Sequence, residues 1–205
     1  MTISKEGKGP QVKMASTLVD QVPPIARDEA RALAATENER ILSLLQSLRS
    51  EDWGKPTDCP AWDVRAMASH VLGAMEAFAT IPEFIHQMRA GTKAAGDGPL
   101  VDGMTAVQVS ERAHLPPEEL VQRIEKVGPR VVRARHRVPG LLRRMPMKEE
   151  VGGVKETWRM SYLLDVILTR DTWMHRVSSC FTFPARSNVF RSGIRHLSSR
   201  GHRQS

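Results

Sequence analysis

Four separate stretches of this chain place apolar residues at alternating three- and four-residue intervals, and that spacing restricts the fold more than any other feature. Successive helical residues are ~100° apart, so such a pattern lines one face that has to be buried against something. The first stretch, from Ile25 to about Ser50, carries Ala30, Leu33, Ala34, Ile41, Leu44, Leu45 and Leu48. The second follows Asp63, whose carboxylate suits a helix N-cap. It runs to about Thr80 on Val64, Met67, Val71, Met75 and Phe78, and resumes after Pro82. The third opens at Pro116, Pro117, Glu118 and Glu119, residues that favour a helix N-terminus. Its face is Leu120, Ile124, Val127 and Val131, and Gly128-Pro129 should kink or interrupt it, because proline lacks an amide hydrogen. The fourth spans about Lys155 to Val177 on Met160, Leu164, Ile167, Asp171 and Met174.

The intervening segments read as connections. Trp53 to Trp62 is a polar loop. Residues 91–103 are Gly-rich and expected to be loop, with a short helix over about 103–113. Residues 137–154, containing Pro139, Gly140, Pro146, Gly152 and Gly153, make a long connection with room for a small hairpin. Few aromatics and this pattern predict an all-α protein, an antiparallel four-helix bundle with a long connection before the last helix.

The expected organisation is a disordered leader over 1–24, one bundle over 25–177, and a basic, disordered tail over 178–205. The tail contains five arginines and no acidic residue. It therefore supplies most of the net charge of +7. The body is nearly balanced, which weakens a nucleic-acid reading. No apolar run approaches the ~18 residues a membrane span needs, so no membrane association is expected. The two cysteines, Cys59 and Cys180, lie in unlike segments. They read as reduced thiols of a cytoplasmic protein.

Chemistry is sought where polar side chains interrupt apolar stripes. Asp171 falls on the stripe of the fourth helix, and His175, four residues on, shares its face. His70 lies beside the buried stripe of the second helix. A carboxylate facing a core is costly unless paired or coordinated. One carboxylate and two imidazoles from facing helices can satisfy each other around a divalent ion, leaving a position open for water or substrate. The same spacing also suits a surface ion pair and an ordinary core histidine.

The run from Trp53 to Gly73, which includes Pro56, Thr57, Cys59, Pro60, Trp62, Asp63, His70 and Gly73, together with Thr169 to Val177, resembles the mycothiol-dependent maleylpyruvate isomerase family. That family is a branch of the DinB-like metal-binding four-helix bundles. The resemblance covers about residues 25–177. It implies a metal site at His70, Asp171 and His175, with zinc the first choice for nitrogen and oxygen ligands. It also implies mycothiol as thiol cosubstrate, acting on a small electrophilic or unsaturated acid in an isomerisation or thiol transfer. Two features depart from the family: Asp171 stands where Glu is usual, and the resemblance stops at Ser178, so the tail is read as non-family or truncated sequence. The alternatives are a catalytically impaired metal-binding bundle and, more weakly, a basic nucleic-acid-interacting protein.

Other residues carry plainer expectations. Glu37 on the first stripe reads as a partly exposed glutamate, with orientation of a metal histidine as the functional alternative. Cys59 reads as loop packing and not as a nucleophile. Trp53, Trp62, Trp158 and Trp173 should pack loops and helix ends, with one or two lining a pocket. The cluster Arg130, Arg133, Arg135, Arg137, Arg143 and Arg144 reads as a solvated face, or else as an anion-binding one.

Overall fold

In the computed structural model, residues 24–151 and 154–181 are described. The expected leader, except for Pro24, and residues 182–205 of the expected tail lie outside them. The described chain forms α1 (Arg27–Gln46), a 3-10 turn (Ser50–Asp52), α2 (Val64–Ala79), α3 (Ile81–Ala95), α4 (Leu100–Ser110), α5 (Pro117–Arg137) and α6 (Gly140–Arg143). An antiparallel hairpin follows, β1 (Pro146–Val151) with β2 (Val154–Arg159), and then α7 (Met160–Tyr162), a π turn (Leu163–Ile167) and α8 (Leu168–Phe181). Helix dominates, as the apolar spacing requires.

The middle of the bundle is α2. Val64, Met67, Ala68, Val71, Leu72 and Met75 are all buried, and the helix packs against α3, α4, α5 and α8. Around it, Ile41 and Leu45 of α1 and Leu120, Ile124, Val127 and Val131 of α5 close the core. The stripes read from the sequence on α2 and α5 and most of that on α1 therefore supply this core; Leu33, expected on the α1 face, is exposed. Burying each such side chain contributes ~1.5–3 kcal/mol.

Three expectations need correction. Residues 91–103 are not a loop: α3 runs to Ala95 and α4 begins at Leu100. Two of the glycines serve contact, not flexibility. A Cβ on Gly103 would lie 2.1 Å from the Gly91 carbonyl oxygen and 2.7 Å from the Ala95 nitrogen, so α3 and α4 touch backbone to backbone there. The turn itself is made by Gly96, which ends α3 at φ +56°, where a side chain would be strained. Next, Pro129 does not interrupt α5. It sits on the exposed face, so the Glu125 carbonyl that it deprives of a partner is open to water. Finally, the last helix starts at Met160 and not at Lys155, because Lys155 to Arg159 pair with β1 in the hairpin. It also continues past Val177 to Phe181.

The close contact of α3 with α4 yields a test. Gly103→Ala should destabilise the protein by about 2 kcal/mol or more, since an added methyl has backbone, not a flexible side chain, in its way. Gly54→Ala, at a position with open space around it, should change little. Urea unfolding of both variants checks this, and equal midpoints would contradict the close packing.

Candidate metal centre

His70 owes its place to the segment before it. The loop from Trp53 to Asp63 is tied back on itself: Thr57 and Trp62 bond through the Thr57 hydroxyl at 3.0 Å, and the Val64 amide donates to the Lys55 carbonyl at 3.0 Å. The Cys59 amide donates to the Thr57 hydroxyl at 3.1 Å, and its carbonyl accepts from Trp62. This is the loop-packing part expected for Cys59. Asp63 caps α2, accepting from the Ala66 amide at 2.7 Å, as expected. The result is a rigid entry into α2 that lays the Trp62 ring over His70, with centroids 5.0 Å apart, and beside His175, at 5.9 Å.

Asp171 and His175 come from α8, one helical turn apart. The Asp171 carboxylate lies between the two imidazoles, with Oδ2 3.4 Å from His70 Nε2 and Oδ1 3.2 Å from His175 Nε2. The rings meet edge to face at 4.8 Å. One ligand atom from each residue lies within 4.8 Å of the other two. The three sequence candidates therefore converge. Burial pushes the Asp171 pKa up, but hydrogen bonds from His175 and His70 and their charge outweigh it, holding the carboxyl well below its usual range. Asp171 is thus a carboxylate throughout the neutral range, the form that ligates a cation.

The position of Asp171 differs from the expectation in one respect. It is not on the core side of α8: its side chain is 38 % exposed, and Met174 is exposed as well. The buried face is Thr172, Arg176 and Ser179. His70 is buried and its Nδ1 has no hydrogen-bond partner. The three donors thus span the boundary between core and solvent, which suits a site that a small molecule has to reach.

Two groups of residues around the site were read differently from the sequence. Glu37 is neither partly exposed nor bonded to a metal-site histidine. It is buried on α1 and paired with Arg176, the neighbour of His175, with Arg40 3.5 Å away on its outer side. A buried acid needs a cation, and that demand marks Arg176 as a residue worth seeking. The arginine cluster also divides. Arg135 and Arg143 are buried, the first bonded to the Leu164 carbonyl and to Thr169, the second to Asp165. Burial, reinforced by the neighbouring charge of Arg143 and opposed by Asp165, pushes the Arg135 pKa down to about 10. These two side chains are structural, which removes them from any anion-binding face. Trp62 was grouped with three other tryptophans; its place directly before the α2 cap, eight residues and about two turns ahead of His70, is the signal that distinguishes it.

Residues 34–178 match the mycothiol maleylpyruvate isomerase N-terminal domain. That stretch is well over half of the chain and contains every residue of the site. The chain belongs to this family. Its fold is similar to the crystal structure of the mycothiol-dependent maleylpyruvate isomerase, with a TM-score of 0.54 at 15% sequence identity, and to that of a histidine-to-alanine mutant of the same enzyme, with a TM-score of 0.53 at 15% identity. Each comparison covers 75% of this chain and 60% of the other. The chain thus spans about 60% of the length of those solved structures. Among curated proteins, none matches it. No helix among the described residues is long and apolar enough to cross a membrane.

The Glu37–Arg176 pair joins α1 to α8 beside the site. Arg176→Met should cost about 3 kcal/mol, because it leaves a buried carboxylate with only the outer Arg40 contact. The double change Glu37→Leu with Arg176→Met should recover most of that loss, since a buried pair replaced by apolar groups of similar volume is close to neutral. Thermal unfolding of the wild type, both single variants and the double variant measures the coupling, and Arg176→Met as stable as the wild type would contradict the burial of the pair.

Proposed function

We propose that this domain binds one divalent cation, zinc before others, through His70, Asp171 and His175, and that it serves mycothiol-dependent isomerisation or thiol transfer on a small electrophilic or unsaturated acid in the cytoplasm. The observation that carries this reading is the convergence of two imidazole Nε2 atoms and an anionic carboxylate from α2 and α8, inside the stretch that matches the family. The donor set fits the group. It is all nitrogen and oxygen, it has one negative charge, and three protein ligands leave a position for an exogenous molecule. When bound there, a divalent cation supplies the positive charge that favours a thiolate at neutral pH.

The chain's own residues would do the rest. Asp171 would neutralise part of the ion's charge; its metal-free contacts with both Nε2 atoms hold the two imidazoles together and would give way to the ion, because a ligating Nε2 carries no proton. Trp62 would wall one side of the site and restrict the two rings to a narrow range of orientations. Asp171 stands where the family usually has Glu and is one methylene shorter. Its contacts at 3.2 and 3.4 Å with the histidines show that the shorter side chain still reaches both.

A metal-binding bundle without turnover is the competing reading, and two measurements separate it from the first. Purified protein should hold about one divalent ion per chain, and His175→Ala should abolish tight binding, because two ligands remain. Asp171→Glu should preserve or tighten it. Metal-loaded protein should then consume mycothiol together with an electrophilic or unsaturated acid. Metal retained at wild-type affinity in His175→Ala would overturn the site, and stoichiometric metal without thiol chemistry would leave the binding reading alone.

A further inference from the structure

The phase of α8 depends on one extra residue, and a buried arginine holds the backbone where that residue is accommodated. In a regular α-helix Leu164 and Thr172, eight residues apart, would point ~80° apart. Both are nonetheless buried. The π turn Leu163–Ile167 makes up the difference. Its wider turn takes in one residue more, so the Leu168 amide bonds the Leu163 carbonyl five residues back. The Leu164 carbonyl, four residues back from Leu168, loses that amide as a partner.

The guanidinium of Arg135 on α5 takes its place. Arg135 Nε donates to the Leu164 carbonyl at 2.8 Å and Nη2 bonds the same oxygen, while Nη2 also donates to the Thr169 hydroxyl at 2.8 Å. The two gripped positions lie at either side of the π-to-α junction, and Thr169 is two residues before Asp171. Arg143 completes the arrangement by donating to the Arg135 carbonyl at 3.1 Å and pairing with Asp165 inside the π turn.

We infer that Arg135 is a positioning residue for the ligand pair: by bonding the carbonyl that the π turn frees, it fixes the rotation of α8 that brings Asp171 and His175 to face His70. Without the extra residue, everything downstream would rotate by ~100°, and the carboxylate would leave the two imidazoles. Its value to the protein rests on the metal-site reading, but its geometry can be tested without metal. Arg135 and Arg143 bond the π turn from α5 and α6, with Asp165 the acid that faces them; α1 packs against the turn as well, and Arg27, Arg31 and His136 line the crevice shared by Leu164 and Asp165.

The test uses the full-length chain, metal-free, and follows the imidazole proton resonances of His70 and His175, which the Trp62 ring current displaces from free-histidine positions. In Arg135→Gln the His175 resonances should return toward those positions. In Thr169→Val, which removes one gripping contact at nearly constant volume, they should move the same way by less. Val127→Ala, a core change about two turns away on α5, should leave them in place. Zinc affinity, read by competition with a chromophoric chelator, should fall about ten-fold or more in Arg135→Gln, as loss of an orienting contact behind a ligand typically does. Unchanged imidazole resonances in folded Arg135→Gln would overturn the inference. If that variant does not fold, unchanged resonances in Thr169→Val would overturn it. A wild-type protein with displaced resonances but no zinc binding would instead overturn the metal site and leave the positioning role standing.

Discussion

A carboxylate set between two imidazoles, one from a helix ahead of it by about a hundred residues and one from its own helix, is the interaction on which the rest of this structure depends. Partial withdrawal from water is unfavourable for Asp171, and the contacts with His70 and His175 reverse that penalty. They do so only if α2 and α8 lie within a few ångströms of each other at a defined rotation. Much of the architecture serves that condition. The tied loop before α2 fixes the His70 end, and the Trp62 ring spans both histidines. On α8, the polar buried face Thr172, Arg176, Ser179 meets the rest of the bundle, with the Glu37–Arg176 pair reaching α1.

This polar face distinguishes α8 from α1, α2 and α5. On α1, α2 and α5 apolar burial supplies the driving force, and adhesion is not sensitive to small rotations. On α8, directional bonds from Arg135 and Arg176 set the rotation at positions before and after the ligand pair. Hydrophobic packing holds the bundle together, and charged hydrogen bonds set where its functional helix points. Buried ion pairs are poor sources of net stability but good sources of specificity in some proteins, and their concentration beside the site is in keeping with that use.

How much of this was legible in the sequence follows from the same division. Most of the apolar stripes on α1, α2 and α5 and the Asp63 cap could be read because period and residue type carry them directly, whereas the spacing of His70, Asp171 and His175 suited a surface ion pair or a core histidine equally well, and only the family resemblance favoured a shared site. The resemblance over Trp53–Gly73 and Thr169–Val177 pointed to the family that residues 34–178 match. What could not be read was anything that breaks local rules. Gly91 and Gly103 looked like loop residues because close helix contact and flexibility use the same amino acid. Pro129 looked like a breaker because its exposure was unknown. The stripe on the last helix was followed one residue out of phase because a π turn leaves no periodic trace. Glu37 was misjudged because its partner, Arg176, lies 139 residues away in sequence.

X-ray absorption at the zinc edge of zinc-loaded protein tests the central claim most directly. The account predicts a full complement of zinc per chain with outer-shell scattering from two imidazoles, light-atom ligands only, and no sulfur from Cys59. Zinc without imidazole scattering, or with a cysteine sulfur in its first shell, would contradict it.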